Sequence, residues 1–216
     1  MPAISEEKLH FVRELYYGRM YSAREIASTL NVSIDAVYYF MRHHSIVRRN
    51  LSEQNKAVFE RKQPSFHLKK KLSNEEKKLK TIGTVLYWGE GYKTEKAMGV
   101  DFANSDSAMV MIFTEFLRKV CGIDNTRLRI FLYCYADQDK ERLMRFWSTL
   151  LDVPRKQFTK PYTRKDFRKE KSGKMPHGLV HVRYSDKKLL TVIKNWIEEH
   201  KKIYCVGTQV VNEGKL

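Results

Sequence analysis

The sequence predicts an α+β protein: an all-α module at the amino terminus, then an antiparallel sheet with helices packed on one of its faces. Three observations carry this expectation. Residues 6–45 place apolar side chains at helical spacing between good helix caps. Residues 127–135 and 179–184 alternate apolar and polar side chains, the period of a strand with one face on a core. Helical patterns separate those strands, which suits a sheet covered on one side.

In the amino-terminal module, Leu9, Val12 and Leu15, with Phe11 and Tyr16, make the apolar stripe of a first helix. Ser22 with Glu25 forms a capping box for a second, which carries Ile26, Ala27 and Leu30. Asn31 tolerates a left-handed turn, and Ser33 caps a third helix with Ile34, Val37 and Phe40 or Met41 inward. Ala27 is small enough for two helices to cross closely, Asn31 turns the chain, and Val37 fills the gap. That spacing predicts a helix-turn-helix over residues 1–49, with Ser33 to His44 as the helix that enters a DNA groove. Its outward positions are Asp35, Ala36, Tyr38, Tyr39, Arg42 and His43, and Arg42, Arg48 and Arg49 form a basic exit suited to phosphates. A plain three-helix bundle used for protein contacts has the same periodicity. His43 and His44 are neighbours and are expected to face different ways, without sharing a metal.

Residues 50–72 are rich in Lys, thin in apolar side chains and broken by Pro64, and read as a basic linker made of a short helix or coil and then a loop around Pro64-Ser65. Ser73 and Glu76 then make a capping box for a helix ending in Gly83-Thr84-Val85-Leu86-Tyr87-Trp88-Gly89-Glu90-Gly91. Gly91 is expected to stop that helix and leave Glu90 at its rim. A hairpin of Gly91 to Lys96 with Met98 to Asn104 follows. Asp106 caps an amphipathic helix with Met109, Ile112, Phe113, Phe116, Leu117 and Val120 apolar, ended by Gly122.

The strand over residues 127–135 points Leu128, Ile130, Leu132 and Cys134 one way, and Arg127, Arg129, Phe131, Tyr133 and Tyr135 the other. Arg and aromatic side chains on an open face suit a sheet lying in a DNA groove, and equally an ordinary solvated face with cross-strand Arg–Tyr packing. A helix over 139–151 buries Leu143, Phe146, Trp147 and Leu150. Residues 155–174 read as a long basic loop, carrying Arg155, Lys156, Lys160, Arg164, Lys165, Arg168 and Lys169 with interleaved aromatics. In the strand over 179–184, His181 and Arg183 stand opposite Val180, Val182 and Tyr184. A helix over 186–199 closes the domain, set at residues 73–200, and 201–216 is read as a tail.

Composition points the same way. A net charge of +16 and a pI near 9.7, on a chain of 216 residues with 42% hydrophobic content, describe a folded protein that meets a polyanion. No apolar run is long enough for a membrane span, and the polar start is no signal peptide. Cys121, Cys134 and Cys205 are odd in number and far apart, which suits reduced thiols in a cytoplasmic, nucleoid-associated protein. P-loop, HExxH, GxSxG, zinc-finger and dinucleotide patterns are missing from the sequence.

The run Gly83 to Gly91, followed by Val100-Asp101-Phe102-Ala103-Asn104-Ser105-Asp106 and a long helix, resembles the LAGLIDADG homing-endonuclease fold across roughly residues 73–200. The resemblance implies a four-stranded antiparallel sheet that saddles the major groove. It implies two motif helices side by side, each ending in an acid that holds Mg²⁺ near a scissile phosphate. By position that acid is Glu90, and Asp101 is either a second metal ligand or an electrostatic penalty. With one motif, the chain would pair with a second copy through the helix ending at Glu90. Val85, Tyr87 and Trp88 are bulkier than such a helix pair favours. The expected function is sequence-specific binding of double-stranded DNA in a regulatory role. Mg²⁺-dependent site-specific cleavage is the alternative, and an RNA-associated basic protein a second alternative.

Overall fold

A computed structural model describes residues 3–164 and 175–204. The chain divides into two compact units, Met1–Gln63 and Pro64–Leu216.

In the first unit, Leu9–Arg13 (α1) is entered through a 3-10 turn, Glu6–Lys8, and left through a π turn, Glu14–Gly18. Ala23–Leu30 (α2) starts at the Ser22/Glu25 capping box. It ends at Asn31, which takes the left-handed conformation at φ 54°, ψ 47°, so the residue chosen for its tolerance of that region does occupy it. Ile34–His43 (α3) begins at Ser33, whose hydroxyl accepts from the Ala36 N–H. Val12, Leu15, Ile26, Ala27, Val37, Phe40 and Met41 share one buried core.

The stretch expected as a linker is divided between the units. Leu51–Arg61 (α4) is a helix with an Asn50/Glu53 capping box, and the Arg61 guanidinium pairs with Glu25 and lies 4.9 Å from the Tyr21 ring centre. From Pro64 onward the chain belongs to the second unit: Phe66 is buried and bridges Ile123, and the Ser65 N–H donates to Asp186 at 2.9 Å. The high Lys content hid these few anchoring residues, because charge marks a solvated face and not the absence of structure.

The second unit runs Asn74–Glu90 (α5), Val100–Asn104 (β1), Ser107–Lys119 (α6), Arg129–Tyr135 (β2), Lys140–Leu151 (α7), Tyr162–Arg164 (β3), Leu179–Tyr184 (β4) and Lys187–Tyr204 (α8). The sheet order is β1-β4-β2-β3. β4 pairs antiparallel with both β1 and β2, while β3 pairs parallel with β2, so the sheet is mixed where an antiparallel one was expected. The cause is the connection: α7 carries the chain from the end of β2 back to its start, and a strand reached through a helical crossover runs parallel. β3 itself lay inside the segment expected as a loop.

Val100, Phe102, Ile130, Leu132, Cys134, Val180, Val182 and Tyr184 are buried in one cluster with α5, α6, α7 and α8, so the helices cover one face of the sheet. Gly83 sits where a Cβ would come within 2.2 Å of Phe116 on α6. This small residue of α5 is therefore used for packing inside the chain.

Gly91 follows the end of α5 as expected, in an extended conformation at φ −77° and ψ 146°. Glycine is needed there because a Cβ would meet the Tyr87 ring at 2.4 Å. The expected hairpin reduces to one bridge, Gly91 with Phe102, and one further bond from the Tyr92 N–H to the Asp101 carbonyl at 2.8 Å. The chain then turns away, with the Ala97 N–H on the Thr94 carbonyl. The last helix also continues past 199, to Tyr204.

Candidate functional site

The uncovered face of the sheet is built by the register. Asp101 on β1 stands beside Arg183 on β4, which stands beside Arg129 on β2. The next row is Ala103, His181 and Phe131, and beyond it Leu179, Tyr133 and Tyr162. Side-chain alternation puts these residues opposite the buried set, so they share the open face.

Asp101 organises the row. One carboxylate oxygen meets His181 Nδ1 at 2.7 Å and the other accepts from Arg183 Nε at 2.8 Å. Burial works against ionisation of this carboxyl, but the hydrogen bonds and charges of His181 and Arg183 overcome it and hold the group below the ordinary carboxylate range. The Arg183 guanidinium lies 5.0 Å from the Phe131 ring centre, and Phe131 meets His181 edge-on at 5.7 Å. Tyr133 and Tyr162 stack at 4.8 Å, with Tyr162 51% exposed. An acid in a basic face is thus accounted for as the partner of Arg183 and His181.

The expected interface residues divide under this geometry. Arg129, Tyr133, His181 and Arg183 come together on the open face. Arg127 does not lie on the strand: it belongs to the 3-10 turn Asn125–Arg127, donates to the Ser185 carbonyl at 3.0 Å and lies 5.5 Å from the Tyr184 ring centre. Arg155 pairs with Glu141, Lys156 and Lys160 are exposed, and Arg164 ends β3. Lys165, Arg168 and Lys169 lie outside the described residues. Phe131 and Tyr162 join the site. Tyr162 is paired in parallel through a three-residue strand, which is too short for sequence alternation to mark.

On α3, Tyr39, Arg42 and His43 are exposed and Tyr38 is half-buried, with the Arg48 guanidinium 4.0 Å from the Tyr38 ring centre. Arg49 differs from its neighbours. Its guanidinium donates to the carbonyls of Tyr16 and, at 3.1 Å, of Tyr21, and lies 4.1 Å from the Tyr16 ring centre. Arg49 therefore ties the chain after α3 to the π turn that follows α1 and to the stretch before α2. Arg49→Ala is expected to destabilise the first unit by about 1–3 kcal/mol, through orphaned carbonyls and lost stacking. The salt dependence of nucleic-acid binding should stay as it is. Thermal unfolding and a salt titration of the variant check this, and an unchanged melting point with a flatter salt slope would return Arg49 to the phosphate contacts.

At the end of α5, Glu90 is exposed and nothing lies within 4 Å of a Cβ built on Gly89. Tyr87 is buried, donates to the Tyr92 carbonyl at 2.8 Å, and has its phenol pushed up to about 12 by burial. Lys93 Nζ donates to the Gly91 carbonyl at 2.7 Å and lies 3.4 Å from that of Tyr87, which places a cation on the carbonyl end of the helix. Sequence reading passed over Lys93, whose role depends on how the chain folds back. Mg²⁺ asks for octahedral oxygen ligation from one or two carboxylates with water or phosphate. Among the described residues Glu90 belongs to no cluster of three or more metal-ligating side chains. Among the described residues the cluster found is Glu6, His43 and His44, with ligand atoms within 4.8 Å of one another. His43 closes α3 while His44 leaves the helical conformation at φ −101°, ψ 19°, and their rings stand at 90° with centres 5.0 Å apart.

Among the described residues no helix is long and apolar enough to cross a membrane. No protein-family model, curated protein or solved structure matches the chain.

Proposed function

We propose that this chain binds double-stranded DNA sequence-specifically in a regulatory role, through α2 and α3 acting as a helix-turn-helix and through the open face of the sheet. The observation that carries the reading is the cross-strand set on that face: Arg129, Arg183 and His181 interleaved with Phe131, Tyr133 and Tyr162, opposite a fully helix-covered side. Guanidinium groups on a twisted sheet can reach base edges and phosphates in a major groove; Arg183 is held over Phe131, and Arg129 donates to the carbonyls of Thr126 at 2.7 Å and Leu128 at 2.8 Å. The first unit supports the reading through the short turn at Asn31 and through exposed Tyr39 and Arg42 on α3. The net charge of +16 supplies the long-range attraction. The likeness of the motif helix to LAGLIDADG proteins adds the expectation that the sheet is the DNA-facing element.

Affinity for duplex DNA should fall by roughly a thousandfold between 50 and 200 mM salt if about six phosphates are contacted. Fluorescence anisotropy with labelled duplex, matched double-stranded RNA and single-stranded DNA provides the test. Tightest binding to RNA would favour the RNA-associated reading. Duplex affinity that barely changes with salt would sink the proposal.

A second copy is proposed to pair through α5. Lys78, Ile82, Val85 and Gly89 repeat at a spacing that keeps one helix face in line, and Ile82, Val85 and Trp88 are exposed there. Glu90 of each copy would then stand at the end of a helix pair, the arrangement that the cleavage reading requires.

A further inference from the structure

We propose that Glu6, His43 and His44 form a binding site for a divalent transition ion of the zinc class. The three donors come from two segments that the fold fixes independently. Glu6 stands in the 3-10 turn before α1, which is anchored by Ile4, itself 3% exposed in the core of the first unit. His43 and His44 stand at the carboxy-terminal end of α3. His44 packs on Phe40 with ring centres 4.2 Å apart, and His43 lies parallel to Tyr39 at 6.2 Å. Between the segments is a cavity of about 540 Å³, walled by Ile4, Ala36, Tyr39 and Phe40 and edged by the three donors.

The donor set decides the ion. Two imidazole nitrogens and one carboxylate leave a fourth tetrahedral position for water, the open form of a zinc site. Mg²⁺ and Ca²⁺ prefer oxygen alone and are disfavoured by the two nitrogens. His43 Nε2 lies 4.0 Å from Glu6 Oε1, and all three donor atoms lie within 4.8 Å of one another. Donors on a tetrahedral zinc ion stand roughly 3.3 Å apart, so closure asks for movements on the order of 1 Å. Glu6 and His43 are exposed and His44 is half-buried, so their tips have that freedom and an ion has access. The carbonyl end of α3 adds partial negative charge on the side where the ion would sit. A bound ion would staple the amino-terminal turn to the end of α3.

The test is metal binding by the full chain, stripped with a chelator and titrated at neutral pH with Co²⁺ and then with Zn²⁺ against a chromophoric competitor. The expected result is one equivalent bound, with visible Co²⁺ absorption of low symmetry and no thiolate-to-cobalt charge transfer. Glu6→Gln and His43→Ala should each weaken binding at least about tenfold, while His200→Ala leaves it unchanged. Both altered side chains are exposed, so neither variant endangers the fold. Zn²⁺ should raise the melting temperature of the parent and leave that of His43→Ala unmoved. Failure to bind one equivalent, or binding that survives both variants, overturns the proposal. Duplex affinity plays no part in these readings, so they stand apart from the DNA proposal.

Discussion

Asp101→Asn is expected to tighten binding to arbitrary duplex DNA and to blunt discrimination between sequences, whereas Arg183→Ala should cost about 1–3 kcal/mol at the preferred site. The opposite signs follow from one geometry. Asp101 carries a negative charge on the face proposed to meet phosphate, so its neutralisation removes a repulsion. The same carboxylate fixes Arg183 through Nε at 2.8 Å, with the guanidinium held over Phe131. Fixing the arginine through Nε aligns the outer edge of its fork for a bidentate contact such as guanine offers. Asparagine keeps the shape but weakens that hold and the one on His181. Arg183→Ala loses the contact itself. The measurement is affinity of parent and variants for a duplex selected from a random pool and for a scrambled duplex of equal length, with melting temperatures recorded alongside. Variants that bind both duplexes like the parent would show that the sheet face is not the DNA surface. Equal weakening of Arg183→Ala on both duplexes would make Arg183 a phosphate contact without a part in specificity.

What the sequence made legible was whatever a short window contains. The capping boxes at Ser22 and Ser73, the left-handed Asn31 and the buried alternation of Leu128 to Cys134 and Val180 to Tyr184 all depend on neighbours within a few residues. The open face followed from the same alternation, and so Arg129, Tyr133, His181 and Arg183 could be named in advance. What stayed hidden was decided by partners distant in the chain. Arg49 reads as a phosphate contact by composition, yet it is held by Tyr16 and Tyr21. Arg127 continues the alternation of β2 on paper, yet the chain curls into a 3-10 turn there and sends it to Ser185. Asp101 and Arg183 lie far apart in sequence, and their pairing appears when β1 and β4 align. The parallel pairing of β3 depends on where α7 returns the chain, which no local pattern records.

Ile82→Glu with Val85→Glu is expected to convert a dimer to a monomer. Ile82 is 47% exposed and Val85 49%, and with Trp88 at 37%, edged by Lys201, they present apolar surface along one line of α5 that the described residues leave exposed. Gly89 on the same line leaves room for a close approach near the acid-bearing end. The cost of the exposed apolar surface is offset if a second α5 covers it, and two buried carboxylates would abolish the pairing. Both side chains point away from the core, so the variant should keep the fold and melting temperature of a monomer. Sedimentation of parent and variant reads the outcome, and a parent that is monomeric at tens of micromolar would refute the pairing. Pairing of this kind would decide what Glu90 can do. A lone exposed Glu90 cannot hold Mg²⁺ against water, but two, brought together by paired helices, supply the carboxylates that a metal-assisted strand scission needs. Under that arrangement the parent nicks supercoiled plasmid in Mg²⁺ or Mn²⁺, and Glu90→Gln abolishes nicking while holding or improving affinity, since a negative charge near phosphate is gone. Under the regulatory reading neither protein nicks, and Glu90→Gln alters binding only through that small gain. Nicking that survives Glu90→Gln would remove Glu90 from the chemistry altogether.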